Sequence, residues 1–127
     1  LMVRQYRNAL ERYTLEIPAG SLDRVGEPKI DCASRELEEE TGYRAGTLEP
    51  LLMLNTTVAF CNEKIDIYLA RDLKRQEGQH LDEDEFIDVE ACELEELVQM
   101  IYDGKIEDSK TVGAVMTYKS LLMDKKL

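Results

Sequence analysis

Glu36, Glu39 and Glu40, with Arg35 just before them, are the residues of this 127-residue chain whose types and spacing lend themselves to chemistry. On a helix of about 3.6 residues per turn the three glutamates fall on one face, which brings three carboxylates within reach of a common point. Such a group repels itself at neutral pH unless positive charge sits among its members. Hard divalent cations such as Mg2+ take carboxylate and carbonyl oxygen. Arg35 lies one turn before Glu39 and is placed to orient it through an ion pair. Against this stands the commoner outcome for a run such as Glu38-Glu39-Glu40, a solvated helix face.

These residues need a helix and a loop to hold them, and both have local signals. Pro28 suits the first turn of a helix, and Gly42, after Thr41, suits the residue just past its end. Ile30, Ala33 and Leu37 share one face of that helix, next to the acidic one. Upstream, Tyr13 to Ile17 alternates as a strand and delivers the Pro18-Ala19-Gly20 turn. A glycine there lets backbone approach a ligand closely, and the Ala19 carbonyl is available to complete a cation's oxygen shell.

The other elements follow in order. Leu1 to Arg7 (LMVRQYR) reads as a half-buried strand already in progress. Its Arg4 and Arg7 are equally well read as strand-edge surface charges or as contacts to a substrate phosphate, for which a planar guanidinium is suited. Gly46 and Pro50 bracket a turn, Leu51 to Val58 reads as a strand, 59–62 as a loop, and Glu63 to Ala70 as a strand with Ile65, Ile67 and Leu69 on one face. Arg71 to Glu85 is polar and acidic and reads as a long mobile loop, with His80 an ordinary surface residue. Within it the run Asp82-Glu83-Asp84-Glu85 is either a solvated loop or a supply of general base and further metal ligand. Phe86 to Val89 is a last short strand. Leu94, Leu97, Val98 and Ile101 form a helical stripe ending near Asp103-Gly104. Asp108 or Ser109 can cap a final helix through Leu122, whose Val112, Val115, Met116 and Leu122 read as core. This order suits one domain over residues 1–127, a mixed sheet covered by helices on both faces.

Composition narrows the function classes. A net charge of -11 disfavours a nucleic-acid partner, which needs Lys and Arg against its phosphates. A small phosphorylated substrate bridged by cations is compatible with it. No segment approaches the roughly 20 apolar residues that span a bilayer, so no membrane association is expected. Cys32, Cys61 and Cys92 are odd in number and widely spaced, as expected of reduced, part-buried residues in a cytoplasmic protein.

The spacing from Gly20 to Glu27, and on to Arg35-Glu36-Leu37-Glu38-Glu39-Glu40-Thr41-Gly42-Tyr43, closely resembles the Nudix hydrolase box, with one extra residue between Gly20 and Glu27. Weaker likenesses at Val3 to Arg7, Leu15 to Gly20, Asn62 to Ile65, Leu81 to Ile87 and Asp108 to Thr111 extend it towards the ADP-ribose pyrophosphatase branch. The resemblance implies an α/β fold, the Nudix-type α/β/α sandwich with a mixed β-sheet, whose N-terminal strand or strands are missing before Leu1. It implies hydrolysis of a nucleoside diphosphate derivative, ADP-ribose giving AMP and ribose 5-phosphate. The alternatives are another ADP-sugar or dinucleotide, or a domain that binds a nucleotide without cleaving it. Glu36, Glu39, Glu40 and the Ala19 carbonyl are thereby implied to hold Mg2+, or Mn2+ in its place, with Arg35 orienting the carboxylates. Glu83 is implied as general base, ahead of Glu39 or Glu40, and Glu85 as a further ligand. Arg7 and Glu63 match positions near the phosphates and the terminal ribose, and a homodimer is implied. Thr57-Val58-Ala59 stands where the branch has Ser-Pro-Gly.

Overall fold

The computed structural model describes residues 1–77 and 87–127. Its strands are β1 (Met2–Arg7), β2 (Arg12–Glu16), β3 (Tyr43–Arg44), β4 (Thr47–Asn55), β5 (Lys64–Arg71), β6 (Lys74–Arg75) and β7 (Ile87–Glu90). Its helices are α1 (Lys29–Thr41), α2 (Leu94–Tyr102) and α3 (Ser109–Met123). Among the described residues the ladders are antiparallel: β2-β1-β7, β3-β6 and β4-β5.

The layers follow from strand alternation. Leu52 and Leu54 pair with Ile67 and Ile65, so these residues share one face of the β4–β5 ladder. Gly113 of α3 lies on that face, where an added Cβ would meet the Leu54 and Leu52 methyls at 3.3 and 3.5 Å. Met53 and Asp66 occupy the opposite face, and there Lys29 at the start of α1 reaches Asp66 at 3.0 Å. Helices therefore cover both faces, as an α/β sandwich requires. In the first sheet Met2 and Leu15 pack with Leu97 and Val98 of α2, Val115 of α3 and Ile106 to form the main core. Val3 and Glu16 are paired on the other face, both almost fully buried.

Several boundaries differ from the sequence reading. Strand β4 begins at Thr47 and runs through Pro50, which sits at a bulge before Leu52, where the missing N–H does no harm to the ladder. The expected turn between Gly46 and Pro50 is absent. Segment 71–77 is no simple loop: β6 pairs with β3, and Gln76 N–H donates to the Gly42 carbonyl at 2.7 Å. Pro28 precedes the first helical residue, Lys29, by one position, while Gly42 takes the left-handed conformation with φ 77° and closes the helix as expected. Cys61 is exposed on the β4–β5 connection, against the expected part-burial; Cys32 is buried and Cys92 intermediate. Leu122 is 39% exposed because it lies in the last turn of α3, about 13 Å along the axis from the sheet contact at Gly113. Among the described residues no helix is long and apolar enough to cross a membrane.

Candidate active site

Helix α1 starts when the Pro28 carbonyl accepts from Cys32 N–H at 3.0 Å, and its flank is held to the preceding loop by Cys32 Sγ donating to the Ser21 carbonyl at 3.5 Å. Its deepest residues are Cys32, Glu40 and Thr41, whereas Ile30 is 39% exposed. A helix that turns a glutamate inward and an isoleucine outward is not arranged for packing alone.

Arg35 is the hub. Its guanidinium donates through Nε and Nη2 to Glu27 at 3.1 and 2.9 Å, and through Nη1 to Glu36 at 3.0 Å and Glu39 at 3.1 Å. Asp23 lies 3.6 Å away. The hydrogen bonds Arg35 donates to Glu27 raise the arginine's already high pKa, and the same bonds lower that of Glu27. One side chain thus ties the loop to two acidic residues of the helix.

Glu36 behaves oppositely. Burial pushes its carboxyl above the usual range, and the charges of Glu39 and Asp23 add to that, outweighing Arg35. It packs against Gly20 so closely that a Cβ there would lie 2.1 Å from the Glu36 carboxyl carbon. Glu40, 7% exposed, accepts from Ala19 N–H at 3.1 Å, so the turn and the helix meet at both glutamates. Around this centre the guanidiniums of Arg24 and Arg35 face four carboxylates, those of Asp23, Glu27, Glu36 and Glu39. Oxygen-only donors, a charge deficit and a side-chain-free cradle at Gly20 fit a hard divalent cation. Among the described residues no three Asp, Glu, Cys or His side chains converge in a ready ligand cage. Instead Glu36 and Glu39 rest on Arg35, and Glu40 on the Ala19 amide.

The other candidate residues divide. Arg4 and Arg7, three apart on β1, emerge on opposite faces. Arg4 pairs with Glu90 at 2.6 Å, whereas Arg7 grips Glu16 through Nε at 2.8 Å and Nη2 at 2.7 Å and feels the charges of Asp108 and Glu40. The structure therefore sets Arg7 on the acidic side and keeps Arg4 apart from it. Glu63 is at the mouth of the β4–β5 connection, accepting from Thr56 Oγ1 at 2.8 Å. Glu83 and Glu85 lie outside the described residues.

Sequence reasoning missed Glu16 and Lys110. Lys110 donates to Glu16 at 2.6 Å and to Asp108 at 2.8 Å, and Asp108 also caps α3 by accepting from Thr111 N–H. A signal was available: a lysine in the first turn of a helix opposes the dipole and needs acidic company.

A model of the NUDIX domain matches residues 1–114. The chain is 46% identical over 116 residues to the methanol dehydrogenase activator of Bacillus methanolicus and 40% identical over 116 residues to the ADP-ribose pyrophosphatase of Bacillus subtilis, in each case covering 91% of this chain and 62% of the relative. It thus spans less than two thirds of these curated relatives. A solved structure described as an ADP compounds hydrolase superposes with a TM-score of 0.85 at 26% identity, covering 99% of this chain and 68% of that one. With the acidic helix, its arginine hub and the glycine cradle in place and 114 residues matched, this chain belongs to the NUDIX domain family.

Proposed function

We propose that the protein is a Mg2+-dependent pyrophosphohydrolase of the cytosol that adds water across the diphosphate of a nucleoside diphosphate derivative, converting ADP-ribose to AMP and ribose 5-phosphate. The observation that carries this reading is the contact of Gly20 and Ala19 with Glu36 and Glu40, beside carboxylates already aligned by Arg35. Support also comes from the likeness to the ADP-ribose pyrophosphatase of Bacillus subtilis.

Glu36, Glu39, Glu40 and the Ala19 carbonyl would hold Mg2+, with Mn2+ as a substitute and Glu85 as a further ligand. When bound, the cation supplies positive charge to the diphosphate and acidity to an attacking water. Arg35 keeps Glu36 and Glu39 on one side of the helix, from which their free lone pairs would turn to the cation on loading. Glu83 takes the proton from water, and Arg7 donates to the phosphate oxygens. Glu63 accepts from a hydroxyl of the terminal ribose.

A second reading, another ADP-sugar or a dinucleotide as substrate, is favoured by Val58, which stands 83% exposed where the branch has proline. The test is AMP release from ADP-ribose, with Mg2+ and with EDTA, alongside a panel of nucleoside diphosphate derivatives. Metal-dependent AMP supports the first reading; turnover of another panel member alone selects the second. Folded protein inert towards every compound rejects both and leaves a binding domain. The homodimer implied by the family likeness is checked by sedimentation of the full-length protein, where a monomer alone refutes it.

A further inference from the structure

Among the described residues the most deeply buried opposite charges outside the acidic helix are Glu16 and Lys110, 2% and 8% exposed. Burying an ammonium removes its hydration, and in the first turn of α3 the helix dipole adds to that cost. Lys110 is held there by Glu16 and Asp108 alone among the described residues.

Glu16 is saturated. One oxygen accepts from Lys110 Nζ and Arg7 Nη2, the other from Arg7 Nε and Thr14 Oγ1. A carboxylate with both oxygens doubly engaged has no capacity left for a cation or a substrate hydroxyl. What it does is hold Arg7. Two of the five guanidinium N–H groups are fixed in the plane of Glu16, and the arginine side chain, 44% exposed, keeps the rest for an anion. The same turn of α3 also anchors the strand end that delivers Ala19 and Gly20, because Thr111 Oγ1 accepts from Ile17 N–H at 3.1 Å and donates to Asp108 at 2.6 Å.

We propose that Lys110 is a positioning residue for diphosphate recognition, which by holding Glu16 fixes the Arg7 guanidinium for the substrate's phosphates. This rests on the reading of Arg7 as a phosphate contact given above. It makes α3, far along the chain from the acidic helix, part of the binding apparatus.

The test is a double-mutant cycle on the affinity for ADP with Mg2+, measured by calorimetry on the full-length protein. Lys110→Met is expected to weaken binding about tenfold, and the same change in an Arg7→Ala background by less than about twofold, since groups acting through one another are non-additive. If Lys110→Met does not fold, Lys110→Arg replaces it: it keeps the charge but shifts the Glu16 carboxylate, with an expected loss of about threefold, again absent without Arg7. A lowered thermal midpoint with unchanged ADP affinity, or equal losses in both backgrounds, overturns the proposal. Release of AMP from ADP-ribose by the wild type is followed separately. ADP binding without turnover rejects the hydrolytic function yet leaves the cycle decisive, whereas wild-type protein that does not bind ADP overturns the inference itself.

Discussion

Glu16 and Glu36 are both carboxylates withdrawn from water, and they respond in opposite directions. Burial pushes each pKa up. At Glu16 the hydrogen bonds of Arg7, Lys110 and Thr14 overcome it and bring the group from 4.5 down to about 2. At Glu36 the single hydrogen bond from Arg35 does not, because Arg35 is shared with Glu27 and Glu39 and because Glu39 and Asp23 add negative charge. Around Glu16 two cations, Arg7 and Lys110, balance two anions, Glu16 and Asp108. Around Glu36 the anions are in excess. A balanced network completes itself and holds its members in place; an unbalanced one leaves room for positive charge from outside.

That contrast breaks most severely at the helix. Glu40→Gln removes one of the excess charges, so turnover should fall by at least about 100-fold, the scale on which electrostatic groups at a reacting centre act. The thermal midpoint should stay level or rise, because like-charge repulsion is relieved. Activity within a few-fold of wild type would remove the carboxylates from the metal site. Next comes Gly20→Ala, whose new methyl would lie 2.1 Å from the Glu36 carboxyl carbon. Since Glu36 is a flexible side chain it can swing aside, so the fold should survive while Mg2+ affinity drops about 10- to 100-fold. Titration of activity against Mg2+ reads this, and an unmoved midpoint of that curve would show that the Glu36 position is immaterial.

The Glu16 network gives a smaller effect of a different kind. Its folded pKa, about 2, lies below the ordinary 4.5, so its stabilisation is complete above pH 4.5 and is lost as pH falls towards 2. A shift of that size corresponds to about 3 kcal/mol. Glu16→Gln should therefore lower stability at neutral pH and flatten the acid limb of the unfolding profile. Chemical denaturation between pH 2 and pH 7 checks it. A variant whose profile parallels the wild type would show that Glu16 does not carry the acid sensitivity.

How legible these regions are from sequence follows from how local their signals are. The acidic helix is written in consecutive residues: Gly42 at its end, Arg35 one turn before Glu39, and the turn 18–20 close upstream, so the helix and its arginine contact were legible, whereas the expected convergence of Glu36, Glu39 and Glu40 on one point is not met among the described residues, because Arg35 and the Ala19 amide hold them instead. Glu16 and Lys110 are 94 residues apart, and neither carries a local pattern that names the other. The bulge at Pro50 escaped for a related reason. Proline signals a turn locally, but the ladder to β5 tolerates it where the register shifts, and that depends on the partner strand. The inward turn of Glu40 and the outward turn of Ile30 run against apolar periodicity, which is what a site held against its packing preference looks like.

The smallest expected effect separates the two faces of β1. Arg4 and Arg7 are alike in sequence, but Arg7 meets a carboxylate with a 3% exposed side chain, whereas Arg4 pairs with Glu90 where both side chains are 39% exposed. Solvent screens such a pair, and its loss costs no more than about 1 kcal/mol. Because Arg4 lies on the face away from Glu16 and Glu40, Arg4→Gln should leave KM for ADP-ribose within about twofold, while Arg7→Gln raises it about tenfold or more through the lost charge-assisted contact. Parallel kinetics on the two variants decide the point. A KM increase at Arg4 as large as that at Arg7 would mean that both faces of the strand meet the substrate, and that the hold of Glu16 on Arg7 is not what sets the binding face apart.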